Sequence, residues 1–337
     1  IRAGVNGIAL SLTSGQETAS PLETNVMCGV YLEWPVAASA LSQPTVAVSG
    51  LPSGLKFTAK PVTSKVGTGK TAVTVTNVPA NTIYGAPTAA SKVDKKTGKA
   101  KPSQVKVTVT TAGKSKQTYQ IDLTVDALPA WAVGTFNGWS EYNGEGSGTL
   151  TVSAAGKLSG KTIVPNGKKK VTTSYSAAYF TAFGDGVLTA ELTFKSGKET
   201  RSEMVCLSAY DCGGMTLGQV VEADESQPIA LELVQNPWMR KDKEVTPPAF
   251  PKKALVCELT TGDFAGVTLT VKAKGAVTAS GKLTDGTRFS ASAQLLLVEG
   301  DGTEACVILN GRKVELALTV ADGVITAVAP QPPEILP

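Results

Sequence analysis

Along much of this chain apolar and polar residues alternate one for one. Residues 8–13, 26–34 and 44–49 do so, as do Thr71-Ala72-Val73-Thr74-Val75-Thr76, Val105-Lys106-Val107-Thr108-Val109-Thr110 and the run Thr118 to Val125. A period of two sends successive side chains to opposite faces, so each run predicts a half-buried strand. Leu51-Pro52-Ser53-Gly54-Leu55-Lys56-Phe57 reads as a turn and a short strand. Thr82-Ile83-Tyr84-Gly85-Ala86-Pro87-Thr88 reads as a strand ended by a Gly/Pro turn. The turn at Gly113-Lys114 joins the last two runs into a hairpin.

The rhythm breaks at Asp126-Ala127-Leu128-Pro129-Ala130-Trp131, where a proline stops the ladder. Beyond it, strand-length segments are separated by Ala155-Gly156, Asn166-Gly167, Gly184-Asp185-Gly186 and Ser196-Gly197. Later come Lys274-Gly275, Asp285-Gly286, Gly300-Asp301-Gly302, Asn310-Gly311 and Asp322-Gly323. Asn-Gly and Asp-Gly supply the positive φ angles of two-residue hairpins. The segments also correspond in pairs. Gly134-Thr135-Phe136-Asn137-Gly138 returns as Gly262-Asp263-Phe264-Ala265-Gly266. Thr149-Leu150-Thr151-Val152 returns as Thr268-Leu269-Thr270-Val271, and Ser159-Gly160-Lys161 as Ser280-Gly281-Lys282.

These patterns predict an all-β protein of two domains. Residues 1–126, with roughly seven short strands, read as an immunoglobulin-like β-sandwich. Residues 127–337 read as a duplicated antiparallel β-barrel of about 12–14 strands, because a long meander must close or curl to hide its edges. Repeat 1 spans about 131–235, an irregular strap 236–253, and repeat 2 about 254–329. Both repeats are expected to share one apolar interior.

Composition narrows the chemistry. The chain has no histidine, which excludes a Ser-His-Asp triad, a Cys-His pair and any His-ligated zinc. Residues 1–126 carry 13 Lys and Arg against 6 Asp and Glu, whereas residues 127–337 carry 19 against 22. The basic excess centres on Lys92-Val93-Asp94-Lys95-Lys96-Thr97-Gly98-Lys99-Ala100-Lys101, an exposed loop with no aromatic to stack on bases. It reads as a lysine-decorated surface that resists edge pairing, or as a face for an anionic partner; nucleic acid is not expected. No run of eighteen apolar residues occurs, so no transmembrane helix is expected. The opening Ile1-Arg2-Ala3-Gly4 reads as a mature or trimmed segment of something longer.

Val48-Ser49-Gly50-Leu51-Pro52-Ser53-Gly54-Leu55-Lys56-Phe57 resembles the "GLP-x-GL" element of the immunoglobulin-like (cadherin-like) domains of bacterial surface proteins. Thr82-Ile83-Tyr84-Gly85-Ala86-Pro87-Thr88 resembles their "TISGTPT" element, with Tyr84 in place of a small residue and a longer stretch between the two. The resemblance covers about residues 8–126 and implies an extracytoplasmic spacer or adhesion module without catalysis. The duplicated region is similar, on G-x-F-x-G and hairpin rhythm, to twin-repeat β-barrels of bacterial surface proteins.

Candidate sites are few. Of the five cysteines, Cys206–Cys212 would close a short hairpin and Cys257–Cys306 would cross strands, with Cys28 left over. Gly67-Thr68-Gly69-Lys70-Thr71 has the end of a phosphate loop, but Ser64 stands where its first glycine belongs and a strand follows it. Gly184-Asp185-Gly186 and Gly300-Asp301-Gly302 lack the further acids that calcium needs, and Glu222-Ala223-Asp224-Glu225 reads as a solvated loop. No metal, cofactor or catalytic residue is expected. Trp139-Ser140-Glu141-Tyr142 lies in an insertion that repeat 2 lacks, so Trp139, Tyr142 and nearby Trp131 are the candidate ligand-binding aromatics. Otherwise Trp131 and Trp139 plug a barrel end. The expected function is a non-enzymatic secreted or cell-surface module for adhesion, ligand binding or spacing, with an unknown protein or glycan partner. The alternative is a carbohydrate-binding appendage or a histidine-independent glycan-active enzyme.

Overall fold

The computed structural model describes residues 2–4, 7–11, 21–39, 44–67, 72–140, 146–166, 169–210, 214–219, 231–235, 238, 247–260, 262–297 and 303–331. Tyr142, Cys212, Gly69-Lys70-Thr71, Glu222-Ala223-Asp224-Glu225 and Gly300-Asp301-Gly302 lie outside the described residues. The protein is all-β: strands, turns and short 3-10 turns. Among the described residues no helix is long and apolar enough to cross a membrane. The chain divides into two compact units. The first comprises Ile1–Leu128 with Ala154–Lys157 and Tyr179–Ala182; the second comprises the rest.

The first unit contains β1 (Arg2–Gly4), β2 (Gly7–Ser11), β3 (Leu22–Met27), β4 (Leu32–Ser39), β5 (Thr45–Ser49), β6 (Leu55–Thr58), β7 (Val62–Val66), β8 (Val73–Val78), β9 (Thr82–Gly85), β10 (Ser103–Thr110) and β11 (Lys116–Asp126). They form a five-stranded sheet, β1-β2-β4-β9-β6, a four-stranded sheet, β3-β11-β10-β5, and the hairpin β7-β8. Period-two patterning supplies the core. Val105, Val107 and Val109 of β10 and Ile121 and Leu123 of β11 bury one face and meet Val36, Leu55 and Ile83 from the other sheet. Two sheets packed face to face over such a cluster make a β-sandwich.

The two sequence motifs of this unit pair with each other. Leu55 of β6 stands opposite Gly85 of β9, and Thr58 opposite Thr82. The Thr88 amide donates to the Ser53 carbonyl at 2.9 Å. Gly54 has φ +95°, and a Cβ there would lie 2.0 Å from the Ala86 carbonyl oxygen. The motif glycine is therefore required by a backbone-on-backbone approach that no side chain tolerates. Cys28 is fully buried, and its thiol donates to the carbonyls of Pro87 and Ala154 at 3.4 and 3.2 Å.

In the second unit β12 (Gly134–Ser140), β13 (Gly146–Val152), β14 (Leu158–Asn166), β15 (Lys169–Ala177), β16 (Ala182–Gly184), β17 (Val187–Ser196), β18 (Glu199–Tyr210), β19 (Gly214–Gln219) and β20 (Leu231–Gln235) form one nine-stranded sheet. Its order is β15-β14-β13-β12-β20-β19-β18-β17-β16, and β15 pairs also with β17. The ring thus closes through all but β16, as an up-and-down barrel. Phe136, Leu150, Leu158, Leu188, Leu192 and Leu207 are fully buried on its strands. A small barrel of this strand number is filled by its own side chains.

Then follow β21 (Leu255–Glu258), β22 (Val267–Val271), β23 (Ala276–Lys282), β24 (Arg288–Gln294), β25 (Leu296–Leu297), β26 (Glu304–Leu309), β27 (Arg312–Ala321) and β28 (Val324–Pro330). They make two four-stranded meanders, β21-β22-β23-β24 and β25-β26-β27-β28. Both sheets bury one apolar cluster that includes Cys257, Leu269, Val277, Ala305, Val307, Leu316 and Ile325. The all-β expectation holds. The first stretch closes on itself and the second buries the cluster between its two meanders, while Val234 of β20 packs with Leu296 and Cys306 of the second stretch. The strap's Trp238 and Phe250 pack on the second cluster, with ring centroids 4.8 Å apart.

Two glycines give contrasting stability tests. Gly54→Ala should cost about 3 kcal/mol or more, since clash adds to the positive φ. Gly98 has φ +68°, and no other atom lies within 4 Å of where a Cβ would sit, so Gly98→Ala should cost only about 1 kcal/mol. Urea unfolding of the two variants checks the order.

Candidate functional site

Ring closure builds a cleft. The β15–β17 pairing sets Thr173 opposite Ser196 and Tyr175 opposite Phe194. It brings the β14–β15 and β17–β18 hairpins side by side at one end of the barrel. Together with the Gly262–Phe264 3-10 turn and the β23–β24 and β26–β27 hairpins of the same unit, they line a cavity of about 930 Å³. A volume in this range suits a small-molecule or oligosaccharide ligand.

The floor is apolar. Phe194 is buried at the barrel mouth, and its ring centroid lies 5.5 Å from that of Tyr175. Tyr175 is fixed in turn by its neighbours across two strands. Its hydroxyl donates to the Thr149 carbonyl at 2.6 Å, and its ring covers Gly160, where an added Cβ would lie 2.2 Å from ring carbon Cε2. Burial raises the Tyr175 phenol above the ordinary tyrosine value, so this hydroxyl stays a donor. Phe264 and Phe289 form the opposite apolar patch, with centroids 5.2 Å apart, and half-exposed Val171 lies on the wall.

The rim is polar and balanced in charge. Arg201 lies 5.5 Å over the Phe194 ring, and its Nε meets Glu203 at 3.0 Å. Arg312 makes an ion pair with Asp263. Glu199, Asn166 and Asn310 complete the set, with Thr162, Thr173, Ser196 and Thr200 supplying hydroxyls. Among the lining residues Arg201 and Arg312 balance Glu199 and Asp263, and Glu203 pairs with Arg201 from outside the lining. The arrangement offers apolar surface at Val171 and half-buried Phe289, backed by buried Phe194 and Phe264, with amide, hydroxyl and guanidinium donors beside it. Ser and Thr hydroxyls here have no histidine to activate them, since the chain contains none. Among the described residues no group of three or more Cys, Asp or Glu side chains is placed to hold a metal.

The aromatic trio expected from sequence is not brought together. Trp131 is half-buried in the 3-10 turn Ala130–Ala132, just before β12. Trp139 stands near the far end of β12, opposite Ser147 and Glu232. That end also carries the β14–β15 and β17–β18 turns, so the backbone of Trp139 lies at the cleft end of the barrel and Trp131 at the other. Tyr142 lies outside the described residues.

The expected Cys257–Cys306 bridge is not formed, and both residues keep their thiols. Ala305, Val307 and Leu309 of β26 face the cluster containing Cys257, so period-two geometry turns Cys306 to the other face. There it packs with Val234 and Leu296. Cys206 also remains a thiol, flanked on β18 by buried Val205 and Leu207, and its expected partner Cys212 lies outside the described residues. Gly184-Asp185-Gly186 is a hairpin turn with φ +50° at Asp185 and +75° at Gly186.

Sequence reasoning missed Phe194, Phe289, Val171, Arg201 and Arg312. A signal was present in the Asn-Gly turns, since Asn166 and Asn310 each belong to one and both line the cleft. No family model, curated protein or solved structure matches the chain.

Tyr175 carries a test of pH dependence. A raised phenol pKa stabilises the fold below the ordinary tyrosine value of about 10, and that contribution is lost as pH rises through the folded value. Stability in urea should therefore fall above about pH 10. Tyr175→Phe should cost about 1 kcal/mol at neutral pH through the lost hydrogen bond and should make the alkaline fall shallower. Tyr31 and Tyr119, also raised by burial, keep the rest of the slope.

Proposed function

We propose that this protein is a secreted or cell-surface module that binds a ligand without catalysis. The sandwich acts as a spacer of the immunoglobulin-like kind found in bacterial surface proteins, a reading that rests on the GLP-x-GL and Thr82–Thr88 motifs. The later unit, read as two copies of one hairpin array, presents the binding site. The duplication rests on the paired sequence segments, which fall on the β13–β14 and β22–β23 hairpins.

One observation carries the binding assignment: the cleft at the barrel mouth, with aromatic patches on facing walls and a charge-balanced polar rim. A neutral oligosaccharide matches it, with apolar C–H faces for Phe289 and Val171 above buried Phe194 and Phe264, and hydroxyl edges for Asn166, Asn310 and the threonines. A glycan-active enzyme would instead need two carboxyl groups free to act across a scissile bond. Asp263 is tied to Arg312, which favours binding over hydrolysis. An extracytoplasmic setting is compatible with the thiols, since Cys28, Cys257 and Cys306 are buried and shielded thiols are inert.

A glycan array followed by titration calorimetry tests the assignment. Neutral oligosaccharides should bind and be recovered uncleaved. Val171→Arg should abolish the binding with little change in melting temperature, because Val171 is 43% exposed. Silence across the array, product release, or full binding by Val171→Arg would each reject the reading.

A further inference from the structure

We infer that the lysine loop at residues 92–101 is a second binding surface, built for a linear polysaccharide bearing carboxylate or sulfate groups. It lies in the first unit and shares no residue with the cleft. The loop is a small closed hairpin. Val93 bridges Ala100, the Asp94 amide donates to the Lys99 carbonyl at 2.8 Å, and the Lys101 amide donates to the Lys92 carbonyl at 2.8 Å. Its base is tied down: the Ser91 amide donates to the Val125 carbonyl at 2.8 Å, and the Val125 amide to the Ser91 hydroxyl at 2.9 Å.

On this frame Lys92, Lys95, Lys96, Lys99 and Lys101 are all exposed. The pairing sets Lys92 directly opposite Lys101, and like charges so placed destabilise a hairpin. The one acid in the loop, Asp94, offsets little of this. Its carboxylate accepts the amides of Lys96 and Thr97 at 2.8 and 3.0 Å, holding the turn together. Those bonds, with Lys101 nearby, keep the carboxyl below its usual range. Asp94 thus fixes the backbone that displays the ammonium groups. A loop needed only for connection would be more stable with its charges mixed. Repulsion held on a rigid frame is relieved by a polyanion, with no ordering cost for the loop.

The side chains select the class of polyanion. The loop has no arginine and no aromatic residue, so it makes no bidentate fork and lacks the platforms that stack single-stranded bases. Ammonium groups act as point charges and read charge density along a chain. Carboxylated and sulfated polysaccharides both supply that density.

The full-length protein is titrated with a heparin octasaccharide and, separately, with an oligogalacturonate, at about 50 and 200 mM salt. Single-stranded DNA and anionic phosphatidylserine vesicles serve as competing classes. At least one polysaccharide should bind, weakening with salt. Lys95→Gln/Lys96→Gln/Lys99→Gln should weaken it by roughly tenfold or more, since each displaced counterion contributes, with the melting temperature unchanged or raised. Lys106→Gln/Lys114→Gln/Lys116→Gln, which removes three exposed lysines elsewhere in the unit, should bind as before, as should Val171→Arg. Sulfate or carboxylate selectivity then separates the two polysaccharide sources. The inference fails if neither polysaccharide binds, if DNA or vesicles bind as tightly, or if the two triple variants lose affinity equally. Loss in Val171→Arg would assign the binding to the cleft and also overturn it.

Discussion

The pairing of β15 with β17 is the contact on which the barrel unit depends. Without it the nine-stranded meander would expose two long edges, each a row of unsatisfied amides and carbonyls. With it, every barrel strand has two partners, and Tyr175 and Phe194 meet across the seam. The same pairing aligns two hairpins that are separated in sequence by β16 and its turns. The cleft wall is a direct consequence of how the sheet hides its edge, since closure sets Thr173 opposite Ser196 and Tyr175 opposite Phe194.

Strand-level structure was legible in the sequence because it is local. Alternation in Val105–Thr110 and Thr118–Val125 maps onto β10 and β11 with the apolar positions buried. Asn310-Gly311 and Asp322-Gly323 adopt the positive φ angles that their hairpins need. That the meander closes was expected from its length; which strands close it was not legible, because partner choice between distant strands leaves no periodic trace. The two G-x-F-x-G segments illustrate this. Phe136 sits in β12, paired on both sides and fully buried. Phe264 sits in a 3-10 turn beside the cleft. Similar local chemistry takes different conformations because only the first segment lies between two waiting strands. The strand role in the second stretch passes to Leu255–Glu258.

The same limit explains the site. Sequence reasoning sought large aromatics in an inserted loop and so named Trp131, Trp139 and Tyr142. Trp131 and Trp139 fall at opposite ends of β12, whose span places them apart however close they are in number. The cleft draws on phenylalanines and arginines at strand ends, residues that look like ordinary core and surface when read singly. Arg201 is held by Glu203 and Phe194, and Arg312 by Asp263, so what distinguishes them is where the hairpins converge. The cysteines follow the same rule through parity: one residue along β26 decides whether a thiol faces Cys257 or turns away.

Leucine and phenylalanine occupy the described interior positions of the barrel, so the two proposed binding surfaces lie on turns and rims. They differ in their electrostatics. As proposed, the cleft would bind chiefly through apolar surface beside the Arg201–Glu203 and Arg312–Asp263 pairs, so its affinity would depend little on salt. The lysine loop as proposed would bind through ammonium groups on a hydrogen-bonded frame, so its affinity would fall with salt. Because screening acts on the second and hardly on the first, ionic strength separates their contributions within one intact protein. A ligand held by both would lose only part of its affinity as salt rises.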